Sequence, residues 1–215
     1  MSELFSIQLQ NRQQQGRHGV WLDLPTTTEQ VQAALRQIGI SSDNPQGLSI
    51  SGYFAEEEKR FAIPYNMVLA SSVDELNFLA SRLEILSTGE RAELNAALQA
   101  PQSELFSIGR ITDFPENVDY YVYLPDVHGP AQLGDYYLNR SGMVDMPEEW
   151  KGGIDTAQFG RYVAQQEQGV FTEYGYLVKS GDAWQKVHEG QPVPEEYRVL
   201  SFPAPEVLRD SANIP

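Results

Sequence analysis

Alternating hydrophobic and polar positions in the first fifty residues predict a small antiparallel sheet with one helix. Residues 3–10 and 19–24 alternate as strands do and are joined by a loop rich in Gln and Gly, so we expect them to pair. A stripe of apolar residues at helical spacing follows. Any of the threonines at 26–28 can cap this helix, and Thr26 with Glu29 has the spacing of a capping box. Residues 48–53 alternate again and predict a third strand.

The middle of the chain changes to the period of a helix. A helix that starts near Ser71 places four leucines on one face, namely Leu76, Leu79, Leu83 and Leu86. After Gly89 a second helix is predicted from about Glu90 to Ala100. Two antiparallel helices joined by a short turn are the simplest arrangement of this segment.

A six-residue segment occurs twice, and each copy begins a similar order of predicted elements. Ser2–Ile7 recurs letter for letter as Ser103–Ile108, and each copy leads through a polar loop into an apolar run that ends in Leu-Pro. We therefore predict strands near residues 104–109 and 119–124 and a second module built like the first. The alternative is that two strands share common β-forming residues by chance.

Further elements follow in the second half of the chain. Helical spacing predicts helices near residues 131–139 and 155–165, and residues 169–178 are rich in β-forming residues. From about Ser180 the chain becomes rich in proline, which predicts a loosely structured extension. Within it, residues 197–200 have the composition of an edge strand.

The order of these elements predicts an α+β protein made of small segments. We place an N-terminal β-β-α-β module at residues 1–68 and a helical segment at residues 69–100. A C-terminal α+β module follows at residues 101–178, and the proline-rich C-terminal extension occupies residues 179–215.

Negative charge is the strongest signal in the composition. Thirty acidic residues against 15 basic ones give a formal net charge of −15. Direct binding to nucleic acid requires Lys and Arg to displace counterions from phosphates, so it is not expected. Docking on an anionic membrane is not expected for the same reason. The acidic residues serve either solubility alone or a surface for a basic partner.

Almost half of the excess charge lies in less than a quarter of the chain. Residues 101–150 carry nine acidic and two basic residues. The acidic residues are spread along this segment, mostly in predicted loops or at the ends of elements. Such spacing is typical of a solvated face, and it also suits a string of point charges like the phosphates of a duplex.

Sequence motifs of catalysis and metal binding are missing from the chain. It has no cysteine, which excludes disulfides, thiolate zinc sites and cysteine nucleophiles. It contains no nucleophile elbow, phosphate-binding loop or dinucleotide fingerprint, and its three histidines, His18, His128 and His188, are isolated. We therefore expect a protein that is not an enzyme and needs no metal or cofactor. A catalytic site assembled from distant residues is the enzymatic alternative.

Two observations concern the cellular location. Residues 1–5 lack the basic region followed by an apolar run that is typical of a signal peptide. No stretch approaches the roughly 20 apolar residues that span a bilayer. We therefore expect a cytoplasmic protein.

The chain resembles the ArdA antirestriction proteins of plasmids and conjugative transposons from about residue 4 to residue 178. The segments that carry the resemblance are Gly16–Pro25, Asp74–Ala80, Leu133–Gly142, Ile154–Arg161 and Gly169–Tyr176. They are similar to the family's first hairpin, its central helix, its tyrosine-bearing helix and its most specific C-terminal motif. Their order and spacing together, rather than any one of them, make the resemblance specific.

The resemblance implies an elongated, curved homodimer whose acidic surface imitates bent B-form DNA. This surface occupies the DNA-binding groove of Type I restriction–modification enzymes, so that foreign DNA escapes cleavage. An acidic interaction module of a mobile element that binds another basic protein is the alternative. The residues assigned to the partner-binding surface are Asp113, Glu116, Asp119, Asp126, Asp135, Asp145, Glu148, Glu149, Glu56, Glu57, Asp74 and Glu75.

Overall fold

The computed structural model describes residues 3–14, 18–56, 60–101 and 103–205. Contacts divide the chain into unit 1, formed by Met1–Arg60, Pro64–Ser81 and Val193–Pro215, and unit 2, formed by Phe61–Ile63 and Arg82–Pro192. Each unit combines helices with a three-stranded antiparallel sheet, which confirms the α+β class. The domain boundaries placed at residues 68, 100 and 178 stay a prediction, because a division by contacts does not identify parts that fold alone.

Unit 1 is built on a three-stranded sheet with the order β2-β1-β3. In β1, Phe5, Ile7 and Leu9 are buried and the residues between them only partly so, because the period of two places one face of the strand in the core. The three strands confirm the predictions for the first fifty residues. Their bounds are Phe5–Asn11 for β1, Val20–Leu24 for β2 and Leu48–Phe54 for β3.

The first helix, α1 (Thr28–Gln37), is capped by Thr27, one of the three threonines that could take this position. Thr27 accepts a hydrogen bond from the backbone N–H of Gln30 at 3.4 Å, and the side chain of Gln30 accepts one from the backbone N–H of Thr27 at 3.1 Å. Thr26 is buried, and its backbone N–H donates to Oδ1 of Asn77. Thr27 is therefore the cap among the three candidate threonines, and the capping box forms with Gln30 instead of pairing Thr26 with Glu29.

Three helices lie in the middle of the chain; the second and third confirm the two predicted helices, and the first was not predicted. Leu76, Leu79 and Leu83 of the predicted apolar stripe are fully buried. The last of the three helices starts at a reciprocal cap in which Ser87 and Glu90 exchange side chain to backbone hydrogen bonds. Their bounds are Tyr65–Ala70 for α2, Val73–Glu84 for α3 and Thr88–Gln99 for α4.

Unit 2 contains a sheet with the order β4-β6-β5. One face of this sheet contributes Tyr176 to a buried cluster with Val127, Leu133 and Ala164, while α4 contacts β6. The strand near residues 119–124, the helices near 131–139 and 155–165 and the β-rich segment 169–178 are all confirmed. The bounds are Ile108–Thr112 for α5, Tyr121–Leu124 for β4, Pro130–Asn139 for α6, Glu148–Lys151 for α7, Thr156–Glu167 for α8, Val170–Thr172 for β5 and Gly175–Lys179 for β6.

The second copy of the repeated segment is not a strand, so the prediction for residues 104–109 is wrong. Ser107 instead caps α5, and its Oγ accepts a hydrogen bond from the backbone N–H of Arg110 at 3.2 Å. In the first copy, Phe5–Ile7 lie in β1, which pairs with β2 on one side and β3 on the other. Identical residues therefore adopt different structures, because only the first copy has neighbouring strands to pair with.

Helices α6 and α8 approach each other most closely at two glycines. A Cβ atom on Gly134 would lie 1.9 Å from the backbone oxygen of Thr156, and one on Gly160 would lie 1.8 Å from the backbone oxygen of Pro130. No real Cβ atom approaches an oxygen so closely, so these positions require glycine. Both glycines lie in segments that carry the family resemblance.

The first part of the C-terminal extension is held in unit 2 by polar side chains. Asn117 donates to the backbone oxygen of Gln185 at 3.0 Å and accepts from its backbone N–H at 2.7 Å. The ring of Trp184 packs edge-on against Tyr120 at 5.1 Å between centroids. The extension is thus fixed by specific contacts, although it has little regular secondary structure here.

The next part of the extension belongs to unit 1. Asn77 donates to the backbone oxygen of Tyr197 at 3.0 Å, and the rings of Phe78 and Tyr197 lie 4.7 Å apart. The predicted edge strand at residues 197–200 is wrong, because the chain forms a 3-10 helix over Glu195–Tyr197 and then donates backbone hydrogen bonds to Asp74.

Candidate protein-interaction surface

The exposed acidic side chains of unit 2 include two at the ends of β4 and three near α7. Asp119 lies just before β4 and Asp126 just after it, and both are exposed. A strand of four residues is about 13 Å long, so these two carboxylates flank an element of that length. Asp145, Glu148 and Glu149 are exposed at and before the start of α7.

Three carboxylates line a concavity at the start of β4. Glu116, Asp119 and Asp182 surround a cavity of about 330 Å³. Asp182 was not among the predicted surface residues. Its position follows from the antiparallel pairing of β4 with β6, in which Tyr121 lies opposite Lys179 and the end of β6 returns to the start of β4. The sequence pattern does not show which strands pair, so it could not place Asp182 beside the other two carboxylates.

Three of the predicted acidic residues are partly neutralised by a cation. Glu116 pairs with an arginine of α3, Asp135 pairs with Arg140 at 2.8 Å, and Glu148 pairs with a lysine one turn later at 3.0 Å. Hydrogen bonds from Asn139 and Arg140 hold the pKa of Asp135 below its ordinary value. These pairs reduce the net field of the surface that such residues share.

The remaining exposed acids of the predicted set in unit 2 lack a basic partner among the described residues. We call these four residues the unpaired acids, namely Asp119, Asp126, Asp145 and Glu149.

Asp113 is not a surface residue, contrary to the prediction. Its side chain is fully buried, and its carboxylate accepts hydrogen bonds from the backbone N–H groups of Val187, His188 and Glu189 at 3.3, 2.6 and 3.2 Å. The charge therefore faces the chain's own extension and cannot face a partner. No local pattern around Asp113 indicates this role, because the donors are more than seventy residues away.

Two of the four predicted acids in unit 1 have structural partners. Asp74 accepts two backbone N–H groups of the extension, both at 2.7 Å. Glu75 accepts the backbone N–H at the cap of α3 at 2.8 Å. Glu56 is exposed, and Glu57 lies outside the described residues. The acidic surface of unit 1 is therefore smaller than the sequence indicated.

Glu93 on α4 is a partly buried carboxyl group that sequence reasoning missed. Burial, together with the smaller effect of the nearby charges of Glu90 and Asp119, raises its pKa to about 8. The only hint of this burial in the sequence is helical spacing, which places Glu93 on the face of α4 that also carries partly buried residues. At neutral pH the side chain is largely protonated and adds little to the negative surface.

Replacing Glu93 with glutamine is expected to stabilise the protein above pH 8 by roughly 1 kcal/mol, a value reduced for the partial exposure of the side chain. The pKa in the folded protein, about 8, exceeds the ordinary value of 4.5, so the wild type loses stability as pH rises between these values. Urea unfolding at pH 5 and pH 8.5 measures the effect. The exposed control Glu149→Gln should show no such change with pH, and an equal gain for Glu93→Gln at both values would contradict the prediction.

Glu167 links α8 to two tyrosines. Its carboxylate accepts a hydrogen bond from the hydroxyl of Tyr137 at 2.7 Å and another from the hydroxyl of Tyr176. Burial, and then the bond to Glu167, raise the pKa of both tyrosines, so they remain donors at all physiological pH values. The group therefore stabilises the packing of α6, α8 and β6, and both oxygens of the carboxylate are engaged.

The described residues contain no group of three or more His, Asp or Glu side chains that could hold a metal ion. None of their helices combines the length and the apolar character needed to cross a membrane. A cavity of about 430 Å³ in unit 2 is lined by residues that include Tyr121, Glu167 and Lys179.

Comparison with known families accounts for most of the chain. The sequence model of the family described as "Antirestriction protein (ArdA)" matches residues 14–178, well over half of the 215 residues. No curated protein matches the chain significantly. The matched segment contains the glycine contact between α6 and α8 and all four unpaired acids, and it ends where the extension begins. The chain belongs to the ArdA antirestriction protein family.

Proposed function

We propose that this antirestriction protein acts as a DNA mimic that occupies the DNA-binding groove of Type I restriction–modification enzymes. The observation that carries the proposal is the set of unpaired acids in unit 2. A groove that binds duplex DNA is lined with Lys and Arg, because phosphates are its ligands. Carboxylates held at fixed positions compete with the duplex for the same cations.

The positions of the unpaired acids suit this role because each lies on or beside a folded element. Asp119 is in a 3-10 helix, Asp126 follows β4, and Glu149 is in α7. Folded carboxylates lose less conformational entropy on docking than a flexible acidic tail does. The inhibitor therefore needs no catalytic group and no cofactor, because it acts by occupying the groove.

The charge count supports a homodimer as the active species. One chain has a formal net charge of −15, so two chains carry −30. One turn of duplex, roughly 10 base pairs, carries about 20 phosphate charges. By formal charge a dimer therefore matches at most about one and a half turns of DNA, whereas a single chain falls short of one. We place its action in the cytoplasm, where bacterial restriction enzymes meet incoming DNA.

Neutralising the unpaired acids is expected to weaken inhibition at least tenfold. The variant carries Asp119→Asn, Asp126→Asn, Asp145→Asn and Glu149→Gln, and it removes four charges that would face the groove. The measurement is the concentration of protein that displaces a Type I enzyme from its recognition duplex in a mobility-shift assay. Raising the salt concentration should weaken the wild type more than the variant, because salt screens exposed charges.

A matched control separates the surface from bulk charge. It removes four exposed acids elsewhere, through Glu29→Gln, Asp43→Asn, Glu195→Gln and Glu196→Gln, and it should change inhibition less than twofold. Equal losses in both variants would mean that net charge alone acts. Absence of inhibition by the wild type at low salt, for every Type I enzyme tested, would refute the proposal. Recovery of a different basic protein in a stoichiometric pull-down would favour the interaction-module alternative.

A further inference from the structure

The solvent face of the unit 1 sheet carries an indole ring that reaches from one edge strand to the other. Trp21 is on β2 and 49% exposed, yet its Cη2 atom is 2.9 Å from the position that a Cβ atom on Gly52 would take. Gly52 is on β3, and β1 runs between the two strands. The ring therefore spans β1, and the missing side chain at Gly52 leaves the space for it.

A second aromatic ring adjoins the indole on the same face. Phe54 is 58% exposed, and its ring lies 6.4 Å from that of Trp21 in an edge-to-face arrangement. The register places Phe54 opposite Ser6, whose side chain points away from the core. Neither ring contributes to the buried core, so both remain available to a ligand.

Carboxylates surround the two rings. Asp23 follows Trp21 by two residues on β2, so both side chains lie on the same face, and its Oδ1 accepts a hydrogen bond from Oγ of Ser6 at 2.6 Å. Among the described residues Asp23 has no ion pair. Glu3 and Glu56 line a small cleft next to Phe54. We call Trp21, Asp23, Gly52 and Phe54 the Trp21 platform.

The chemistry of this face selects one kind of ligand. A flat exposed indole stacks on planar groups, and both nucleobases and guanidinium groups are planar. The neighbouring carboxylates repel the phosphates that accompany a nucleobase, whereas they accept hydrogen bonds from a guanidinium. Lysine supplies a charge but no planar face, so an arginine side chain uses both the ring and the carboxylate.

We propose that the Trp21 platform binds an arginine side chain of a protein partner, stacked on the indole and hydrogen-bonded to Asp23. The inference rests on the proposed function, because the arginine would come from the DNA-binding groove of the restriction enzyme. It adds an aromatic anchor in unit 1 to the carboxylates of unit 2. Aromatic anchors commonly dominate the energy of protein interfaces, whereas exposed charges mainly set association rates and specificity.

The test uses the full-length protein labelled with ¹⁵N and two probes, nona-arginine and nona-lysine peptides. The indole N–H signal of Trp21, assigned by its loss in Trp21→Ala, should shift on addition of nona-arginine and move much less with nona-lysine. Trp21→Ala and Asp23→Asn should each weaken nona-arginine binding about two- to fivefold. Gly52→Ala should weaken it as well, because the added Cβ displaces the ring without removing it.

A matched control is available in unit 2, and the results distinguish failure of this inference from failure of the proposed function. Trp150 is 68% exposed beside Glu149 but lies on α7, outside any sheet, so Trp150→Ala should leave binding unchanged. The inference is overturned if the Trp21 signal of the wild type does not move, or if both tryptophan variants lose nona-arginine binding equally. Neither result depends on the inhibition assay. A Trp21 shift produced by single-stranded DNA instead of nona-arginine would overturn the assignment to protein. Failure of inhibition together with a Trp21 shift would leave the platform standing and remove the proposed function.

Discussion

Replacing Gly160 with alanine is expected to destabilise the protein by about 3 kcal/mol or more. The new methyl group would stand 1.8 Å from the backbone oxygen of Pro130, so α6 and α8 would have to separate. Backbone atoms cannot turn away as the end of a flexible side chain can, and the separation would loosen the core around Tyr176. Gly134→Ala should have a similar effect, because its Cβ would meet Thr156 from the opposite side.

Urea unfolding followed by far-ultraviolet circular dichroism measures this effect. Gly89→Ala is the matched control, since Gly89 lies in α4 with nothing within 4 Å of its Cβ position. That substitution should stabilise the protein by about 0.5–1 kcal/mol, because alanine favours the helix. If Gly160→Ala unfolded at the same urea concentration as the wild type, the close approach of the two helices would be wrong.

Replacing Asp113 with alanine is expected to cost about 3 kcal/mol and to release residues 182–190 from unit 2. Three backbone N–H groups would lose an acceptor that is both charged and buried. Asp113→Asn should cost less, because its amide oxygen still accepts some of these bonds. Urea unfolding gives the stability, and limited proteolysis reports whether the extension becomes accessible.

The exposed residue Asp126 provides the control for that experiment. Asp126→Ala removes the same charge from the surface and should change stability by less than about 0.5 kcal/mol. An Asp113→Ala protein whose extension resisted protease as well as the wild type would contradict the anchoring role. The pair of variants also separates a structural carboxylate from one available to a partner.

The structure divides the acidic residues of this ArdA protein into two classes. One class, which includes Asp113, Asp74 and Glu167, accepts hydrogen bonds within the fold. The other class, which includes Asp126 and Glu149, faces solvent without a cation nearby in the described chain. Only the second class can substitute for phosphates, so counting acids overestimates the charge that a mimic presents.

Several elements of the fold were predictable because their signals are local. The leucines of α3 recur with the period of a helix, and β1 alternates with the period of a strand. The β-forming residues at 169–178 indicated strand, although not the turn that divides them into β5 and β6. In each case the spacing of the apolar side chains along the chain indicates whether the segment is a helix or a strand.

The errors occurred where a distant segment changed a local preference. Ser103–Ile108 repeats a strand sequence but leads into α5, because no strand lies beside it. The capping box uses Thr27 and Gln30 instead of Thr26 and Glu29, and Asn77 accepts the backbone N–H of Thr26. Tyr197 belongs to a 3-10 helix, and the residues after it donate to Asp74 and not to a neighbouring strand. Pairing partners at long sequence distance decided all three outcomes.

The candidate surface was predictable in its charge but not in its members. The excess of acids in residues 101–150 is visible in the sequence, and so is the resemblance that the family match confirmed. The sequence did not distinguish buried Asp113 from exposed Asp119, although six residues separate them. It also missed Asp182, which the antiparallel pairing of β4 and β6 brings beside Asp119.

The sequence by itself determined the fold class, most of the helices and strands, the negative charge and the family of this protein. These depend on composition and on periods of two and 3.6 residues, which every short segment carries within itself. Only the tertiary structure decided which carboxylates are buried, which are exposed, and that the ring of Trp21 reaches Gly52. The physical reason is that burial, hydrogen bonding and close packing depend on residues that are distant along the chain and adjacent only after folding.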